Sequence, residues 1–449
     1  MAVLSSVVTL LKDQWRWVLP GFALKRWLLL LVLGLLVLGL GLALSLNLQP
    51  ITWVIEGLRW VAKRFPSPLS GPLFIALGLG FMAYGLLRAR ATVTQVVGST
   101  NWWGQFMEQL YLQKKLQRGP HIVAIGGGTG LSTLLRGLKH YTANLTAVVT
   151  VGDDGGSSGI LREEQGIIPP GDIRNCIAAL AAEETLLSDL FQYRFASGNG
   201  LEGHSFGNLF LTALSHITGD MLSAIQASSK VLQIRGTVLP SSLEPLQLAA
   251  EYEDGSVVVG ESLIPKAGKR IKRLFCQPAE PQALHSAVEA ILAADMIVLG
   301  PGSLYTSVIP NLLIPQLREA LRQSKAPKVY VANVVTQPGE TDEMSLSQHV
   351  EAIVAHAALG PQFLQAVLAN TPLPEAWLAH YRQYGCSPVV VDAEVLNQQG
   401  IAVLCNQWLT PPSVGPNGQL QGKTLRHNGR RVAKALVVWF HRYQKQRRR

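Results

Sequence analysis

The pentapeptide Gly126-Gly127-Gly128-Thr129-Gly130 follows the apolar run Ile122–Ile125 and precedes the helical run Leu131–Leu138. Glycines at a strand-to-helix turn let backbone N–H groups crowd an anion, and the helix N-terminus adds positive partial charge. The spacing differs from both common phosphate loops. Counted as G-x-G-x-x-G from Gly126, Leu131 stands where the last glycine belongs, and no Lys-Ser/Thr pair follows. A tight turn without ligand is the plainer alternative.

Further along, Gly152-Asp153-Asp154-Gly155-Gly156-Ser157-Ser158-Gly159 places two adjacent carboxylates among glycines and hydroxyls. Such a loop can hold a ribose or a hydrated divalent cation, or orient a phosphate. A solvated turn is the alternative. Pro169-Pro170-Gly171-Asp172 opens an expected helix, Ile173–Ala182, with Asp172 as its N-cap. On that helix Arg174, beside Asn175, is a phosphate partner by its fork of donors. Gly203-His204-Ser205-Phe206-Gly207-Asn208 is a polar cluster ahead of the apolar run Leu209–Leu214, and His204 with Asn208 suggests binding. Gly300-Pro301-Gly302-Ser303, Asn333 and Gln337–Thr341 complete the set of polar loops.

The elements that must position these residues have an α/β rhythm. Ile122–Ile125, Ala147–Val151, Met296–Leu299 and Val329–Ala332 read as strands between helical patterns, which argues for a parallel sheet covered on both faces. In such a sheet ligands bind outside the carboxyl ends of the strands. Four loops rich in Gly, Asp, Ser and Asn converge there, which argues more strongly than any single motif. Asp254-Gly255 marks a hairpin turn, Thr410–Gly422 a loop, and Arg430–His441 a last helix.

Charge and hydropathy divide the chain of 449 residues. Residues 1–118 carry a net +9, residues 119–429 a net −7, and residues 430–449 hold 8 cations and no acid. The body is therefore not a basic nucleic-acid-binding domain. Trp27–Leu46 is a run of twenty residues without charge, enough to cross a hydrocarbon core of roughly 30 Å. Leu69–Leu87 is a weaker run broken by Gly78, Gly80 and Gly85. Weighed against a signal peptide for the first run and a buried helix for the second, two transmembrane helices fit best. Flanking Lys and Arg then put both ends, and the main domain, in the cytoplasm at the inner membrane. Ile51–Ala62, with Trp53 and Trp60, reads as an amphipathic interfacial helix. Four scattered cysteines at no metal or redox spacing read as free thiols.

The stretches IVAIGGGTGLSTLLRGLKHYTANLTAVVTVGDDGGSSGILREE, PPGDIRNCIAALA, LFQYRFASGNGLEGHSFGNLFLTAL, VLGPGSLYTSVIPNL and VYVANVVTQPGETDE closely resemble the YvcK family of gluconeogenesis factors, relatives of the 2-phospho-L-lactate transferase CofD. The resemblance covers about residues 120–443. It implies a Rossmann-like three-layer α/β fold over residues 119–443, between an anchor (1–118) and a basic tail (444–449). It also implies a regulator that binds a UDP-sugar such as UDP-N-acetylglucosamine and supports cell shape and peptidoglycan synthesis, with cell-wall synthesis proteins as partners. CofD-type transfer of a phospholactyl group to a deazaflavin is the enzymatic alternative. By matching motif, Gly127, Gly128, Thr129 and Gly130 would hold the diphosphate. Asp153, Asp154, Ser157 and Ser158 would form the polar wall, with Mg²⁺ at Asp153 and Asp154. Gly302, Ser303 and Asn333 join the set, and AHYRQYGCSPV and TLRHNG bring Tyr381 by stacking and Arg426 by charge.

Overall fold

A computed structural model describes residues 49–64, 111–182, 186–412, 420 and 425–447, with isolated positions 34, 76, 79–81 and 84. The chain divides into Met1–Leu112 and Gln113–Arg449, a boundary slightly ahead of the expected one. In the first unit, α1 (Gln49–Arg64) spans the expected amphipathic segment and ends on Lys63 and Arg64. Its Trp53 and Trp60 are exposed. All of Trp27–Leu46 except Gly34, and most of Leu69–Leu87, lie outside the described residues. Among the described residues no helix is long and apolar enough to cross a membrane.

The second unit begins with β1 (Ile122–Gly126), α2 (Gly128–Leu138) and β2 (Leu145–Val149). A helical region follows: α3 (Gly156–Gln165), α4 (Gly171–Leu180), α5 (Leu186–Gln192), α6 (Phe206–Thr218) and α7 (Met221–Val231). Then come β3 (Thr237–Pro240), the strands β4 (Gln247–Tyr252), β5 (Val257–Val259) and β6 (Ile271–Gln277), and α8 (His285–Leu292). The last part holds β7 (Met296–Leu299), α9 (Ile309–Leu312), α10 (Pro315–Gln323), β8 (Lys328–Val331), α11 (Leu346–Ala357) and β9 (Ala366–Asn370). It closes with α12 (Glu375–Arg382), α13 (Ala393–Gln398), β10 (Ala402–Asn406) and α14 (Gly429–Arg447).

Seven strands form one parallel sheet in the order β10-β9-β8-β7-β1-β2-β3. The central strands are buried along their length, which is why they read as apolar runs rather than as alternation. The fold is a three-layer α/β sandwich, as the sequence pattern implied. From β1 the order runs one way through β2 and β3 and the other way through β7, β8, β9 and β10. The direction of winding therefore reverses between β1 and β7, paired in register from Ile122 with Met296. That gap is where an open sheet admits ligands.

The expected strand Ala147–Val151 is shifted, because Leu145 and Thr146 pair with Ile122 and Val123. The expected helix Ile173–Ala182 starts earlier, at Gly171, so Asp172 is inside its first turn and Pro170 takes the cap position. A separate antiparallel sheet, β5-β4-β6, contains the hairpin signalled by Asp254-Gly255. There Asp254 Oδ1 accepts the Ser256 N–H at 2.9 Å. Helix α14 runs past His441 to Arg447 and buries Val432, Ala433, Leu436 and Phe440. The four cysteines are free.

Candidate functional site

The turns after β1 and β7 are packed backbone against backbone. A Cβ on Gly126 would stand 3.6 Å from Gly300 Cα, and one on Gly302 would stand 3.3 Å from Gly127 O. Gly130 is tighter still: a Cβ there would lie 2.5 Å from Pro301 O. Gly128 has φ +64°, a left-handed conformation that glycine adopts without strain. The Gly127–Gly130 and Gly300–Ser303 turns thus share the crevice at the reversal point, with Thr129 exposed at its lip. Ser303 Oγ accepts from Gln337 Nε2 at 2.6 Å, and Gln337 Oε1 accepts from Asn333 Nδ2 at 2.8 Å. This chain carries the loop after β8 into the same place.

The loop after β2 contributes carboxylates that diverge. Asp153 Oδ1 accepts the Gly155 N–H at 2.9 Å, while its charge reaches Asp172. Asp154 Oδ1 accepts the Ser262 N–H at 2.8 Å, on the loop after β5. Asp153 and Asp154, the pair expected for Mg²⁺, thus have different hydrogen-bond partners, and Asp172 adds a third carboxylate to their surroundings. Two hard carboxylate oxygens of that kind suit Mg²⁺. Among the described residues, however, no three His, Cys, Asp or Glu side chains gather to hold a cation.

Asp172 does not cap its own helix. Its carboxylate packs over the surface left open by Gly127, where the Gly128 N–H at the start of α2 favours its charged form. Burial, reinforced by Asp153, pushes this carboxyl up to about 7. Glu340 makes a matching contact after β7. Burial pushes it up to about 7, against the N–H groups of Tyr305 and Thr306 and the Thr306 hydroxyl, which favour its charged form. Its Oε2 has no partner. Glu261, on the loop after β5, is raised to about 8 by burial and then by Asp153, Asp154, Asp172 and Glu340. Five carboxylates therefore rim the crevice. Sequence motifs pointed to Asp153 and Asp154 but gave no signal for Glu261, which comes from the small sheet.

Ser157 is a hub on α3. Its Oγ lies 3.0 Å from His204 Nδ1 and accepts from Asn208 Nδ2 at 3.0 Å. Ser205 caps α6 by accepting the Asn208 N–H. His204 and Asn208 thus share Ser157 as a partner, and His204 borders an open groove of about 530 Å³. Ser158 is buried beneath Gly171. Arg174 Nη2 donates to Asn175 Oδ1 at 2.8 Å.

Tyr381 is 1% exposed and packs edge-on against His380, so its ring has no free face for a base in this conformation. Arg426 is exposed. Its neighbour His427 is a residue the motif reading passed over. His427 donates to the Ala332 carbonyl and sits 3.4 Å from Asn370 Nδ2, at the ends of β8 and β9. Burial drives it down to about 4, so it is neutral. Arg426 therefore stands on the same rim, toward β8 and β9. Residues 413–419 and 421–424 of the preceding loop lie outside the described residues.

A family profile described as "2-phospho-L-lactate transferase CofD" matches residues 122–409. A Bacillus subtilis protein named "Gluconeogenesis factor" is 47% identical over 319 residues, covering 71% of this chain and 97% of its own. A Nostoc sp. protein is 50% identical over 437 residues, 95% of this chain and 93% of its own. The crystal structure of a Bacillus halodurans protein superposes with a TM-score of 0.67 at 47% identity, covering 71% of this chain and 100% of that one. With the sheet order and the glycine turns in place, this chain belongs to the CofD family, on the branch of the gluconeogenesis factors.

Proposed function

We propose that the crevice between β1 and β7 binds a nucleotide sugar, UDP-N-acetylglucosamine or a close UDP-sugar, and that the protein acts as a regulator. The observation that carries this reading is the meeting of two glycine turns, Gly127–Gly130 and Gly300–Ser303, at the reversal point of a parallel sheet. Backbone donors and a helix N-terminus suit a diphosphate. Asp153, Asn333 and Arg426 stand around it for the sugar and nucleotide. As a gluconeogenesis factor, the protein would support cell shape and peptidoglycan synthesis through cell-wall synthesis partners. The apolar runs Trp27–Leu46 and Leu69–Leu87 would hold it at the inner membrane with its main domain in the cytoplasm. Calorimetric titration of the detergent-solubilised full chain with UDP-N-acetylglucosamine tests the reading. Saturable heat is expected, and a flat trace with every UDP-sugar overturns it.

A second reading draws on the facing carboxylates Asp153 and Asp172 and on the family description. In this reading the protein is a phospholactate transferase, with Mg²⁺ held by that pair. Heat with a guanosine diphosphate conjugate and none with UDP-sugars would favour it.

A further inference from the structure

Arg174 is 7% exposed, yet among the described residues its Nε has no hydrogen-bond partner. The partner recorded for its guanidinium is Asn175 Oδ1. Among the described residues neither Arg174 nor Arg194 forms an ion pair. Arg194 is anchored on the segment that packs against the Arg174 stem. Backbone bonds join Phe195 N to His204 O at 2.9 Å and Phe206 N to Tyr193 O at 2.8 Å, and the Arg194 guanidinium donates to Gly203 O. Gly207 leaves room for the Arg174 stem, since a Cβ there would be 2.8 Å from Arg174 Cδ. Burial first, and then the positive charge of Arg194, lower the pKa of Arg174. Asp172 and Asp153 act in the opposite sense without reaching ion-pair distance.

A guanidinium that is desolvated and incompletely bonded, as Arg174 is, is unfavourable unless an anion joins it. Next to Gly207 stand Asn208, whose Nδ2 donates to Ser157 Oγ, and His204, whose Nδ1 lies 3.0 Å from that same Oγ. The groove bordered by Ile160, Glu164, Gly198, Gly200, Glu202 and His204 opens alongside. Several donors set around paired arginine forks exceed what the two oxygens of a carboxylate can use, and they match a phosphoryl group.

We propose that Arg174 and Arg194, backed by Ser157, His204 and Asn208, form a cradle for a phosphoryl group entered from the groove beside Gly198–His204. The cradle goes beyond the nucleotide-sugar reading, because it is defined by the phosphoryl group whatever carries it. Free orthophosphate and the phosphoryl end of a nucleotide are the two sources.

The test is calorimetric titration of the full chain in detergent with orthophosphate and, separately, with UDP-N-acetylglucosamine. Arg194→Ala removes an exposed side chain, and a thermal melt close to wild type will show that the variant folds. It should weaken at least one titrant tenfold or more, and Arg174→Lys should weaken the same one. Loss confined to orthophosphate assigns a free phosphate or a simple phosphate ester. Loss extending to the UDP-sugar assigns its diphosphate. Wild-type protein that binds orthophosphate but no UDP-sugar would sink the nucleotide-sugar reading and leave the cradle standing. Wild-type protein that binds neither, or Arg194→Ala binding both as wild type does, overturns the cradle.

Discussion

The carboxylate of Asp172 on α4 fills the space that a side chain on Gly127 would take, against the turn that opens α2. An internal anion thus stands at the mouth of the glycine turn that was expected to receive a phosphate. Glu340 does the same for the helical turn after β7. Both carboxylates sit where helix-end partial charge favours negative groups, yet burial holds them closer to neutral than usual.

Stability should therefore fall as pH rises from neutral. Asp172, Glu261 and Glu340 have folded values of about 7, about 8 and about 7, against 3.8, 4.5 and 4.5 ordinarily. Between the two sets of values the folded chain keeps protons that the unfolded chain has released, so the stability they contribute is lost as pH rises to about 8. His427 works the other way, because its folded value of about 4 lies below the ordinary 6.5 and stability drops as pH falls between them. The carboxyl effect is cleanest from pH 6.5 to 8. Urea unfolding across that range should show the decline, and Asp172→Asn should make it shallower, with Glu261 and Glu340 supplying the remainder. A slope unchanged by that substitution would remove Asp172 as its source.

Gly130→Ala should destabilise the protein by about 1–3 kcal/mol, the usual cost of forcing a methyl into a filled space. Its Cβ would meet the backbone at Pro301 O and Gly302 N, which cannot swing aside as a side chain can. Denaturant midpoints measure this, and wild-type stability would show that the two turns separate easily.

Ser157→Ala should cost roughly 1–3 kcal/mol, because it strips His204 Nδ1 and Asn208 Nδ2 of their common partner in a buried setting. The same melts would reveal it. A change within a few tenths would mean that water replaces the hydroxyl.

Arg426→Ala should weaken UDP-N-acetylglucosamine about 10- to 100-fold, the equivalent of one charge-assisted hydrogen bond at roughly 1.5–3 kcal/mol. Titration of the variant decides it, and unchanged affinity would take Arg426 out of the site.

The protein should sediment with inner membranes, remain there through a high-salt wash and leave only with detergent, since spanning segments do not depend on ionic contacts. Release by salt would mean that Trp27–Leu46 and Leu69–Leu87 do not span.

The sequence made the glycine turns and most central strands legible because each is a local pattern: an apolar run, then residues that permit unusual backbone. β3, β6, β9 and β10 are not among the strands the sequence pattern marks. β10 is an edge strand with partly exposed residues, and β3 is four residues ending in proline, so neither gives a long apolar run. Side-chain destinations were harder to read. Asp172 looked like a local cap because capping is usually local, whereas it packs over Gly127. Asp154 reads as a cation ligand beside Asp153, and the sequence gives no sign of its bond to the Ser262 N–H. Both outcomes depend on elements distant in sequence. Arg174 was singled out for its donors, while Arg194, anchored by the Gly203–Ser205 backbone, carried no motif.

Because β1 and β7 are neighbours in the sheet but far apart along the chain, neither half of the body owns the crevice. A chain severed between β6 and β7 would leave each fragment with one lip and no floor. Any molecule lodged there must therefore act as a cross-brace, resisting collapse of the whole body rather than the fraying of one lobe. A shift in melting temperature on adding a compound would then report occupancy of this seam even where no turnover can be followed.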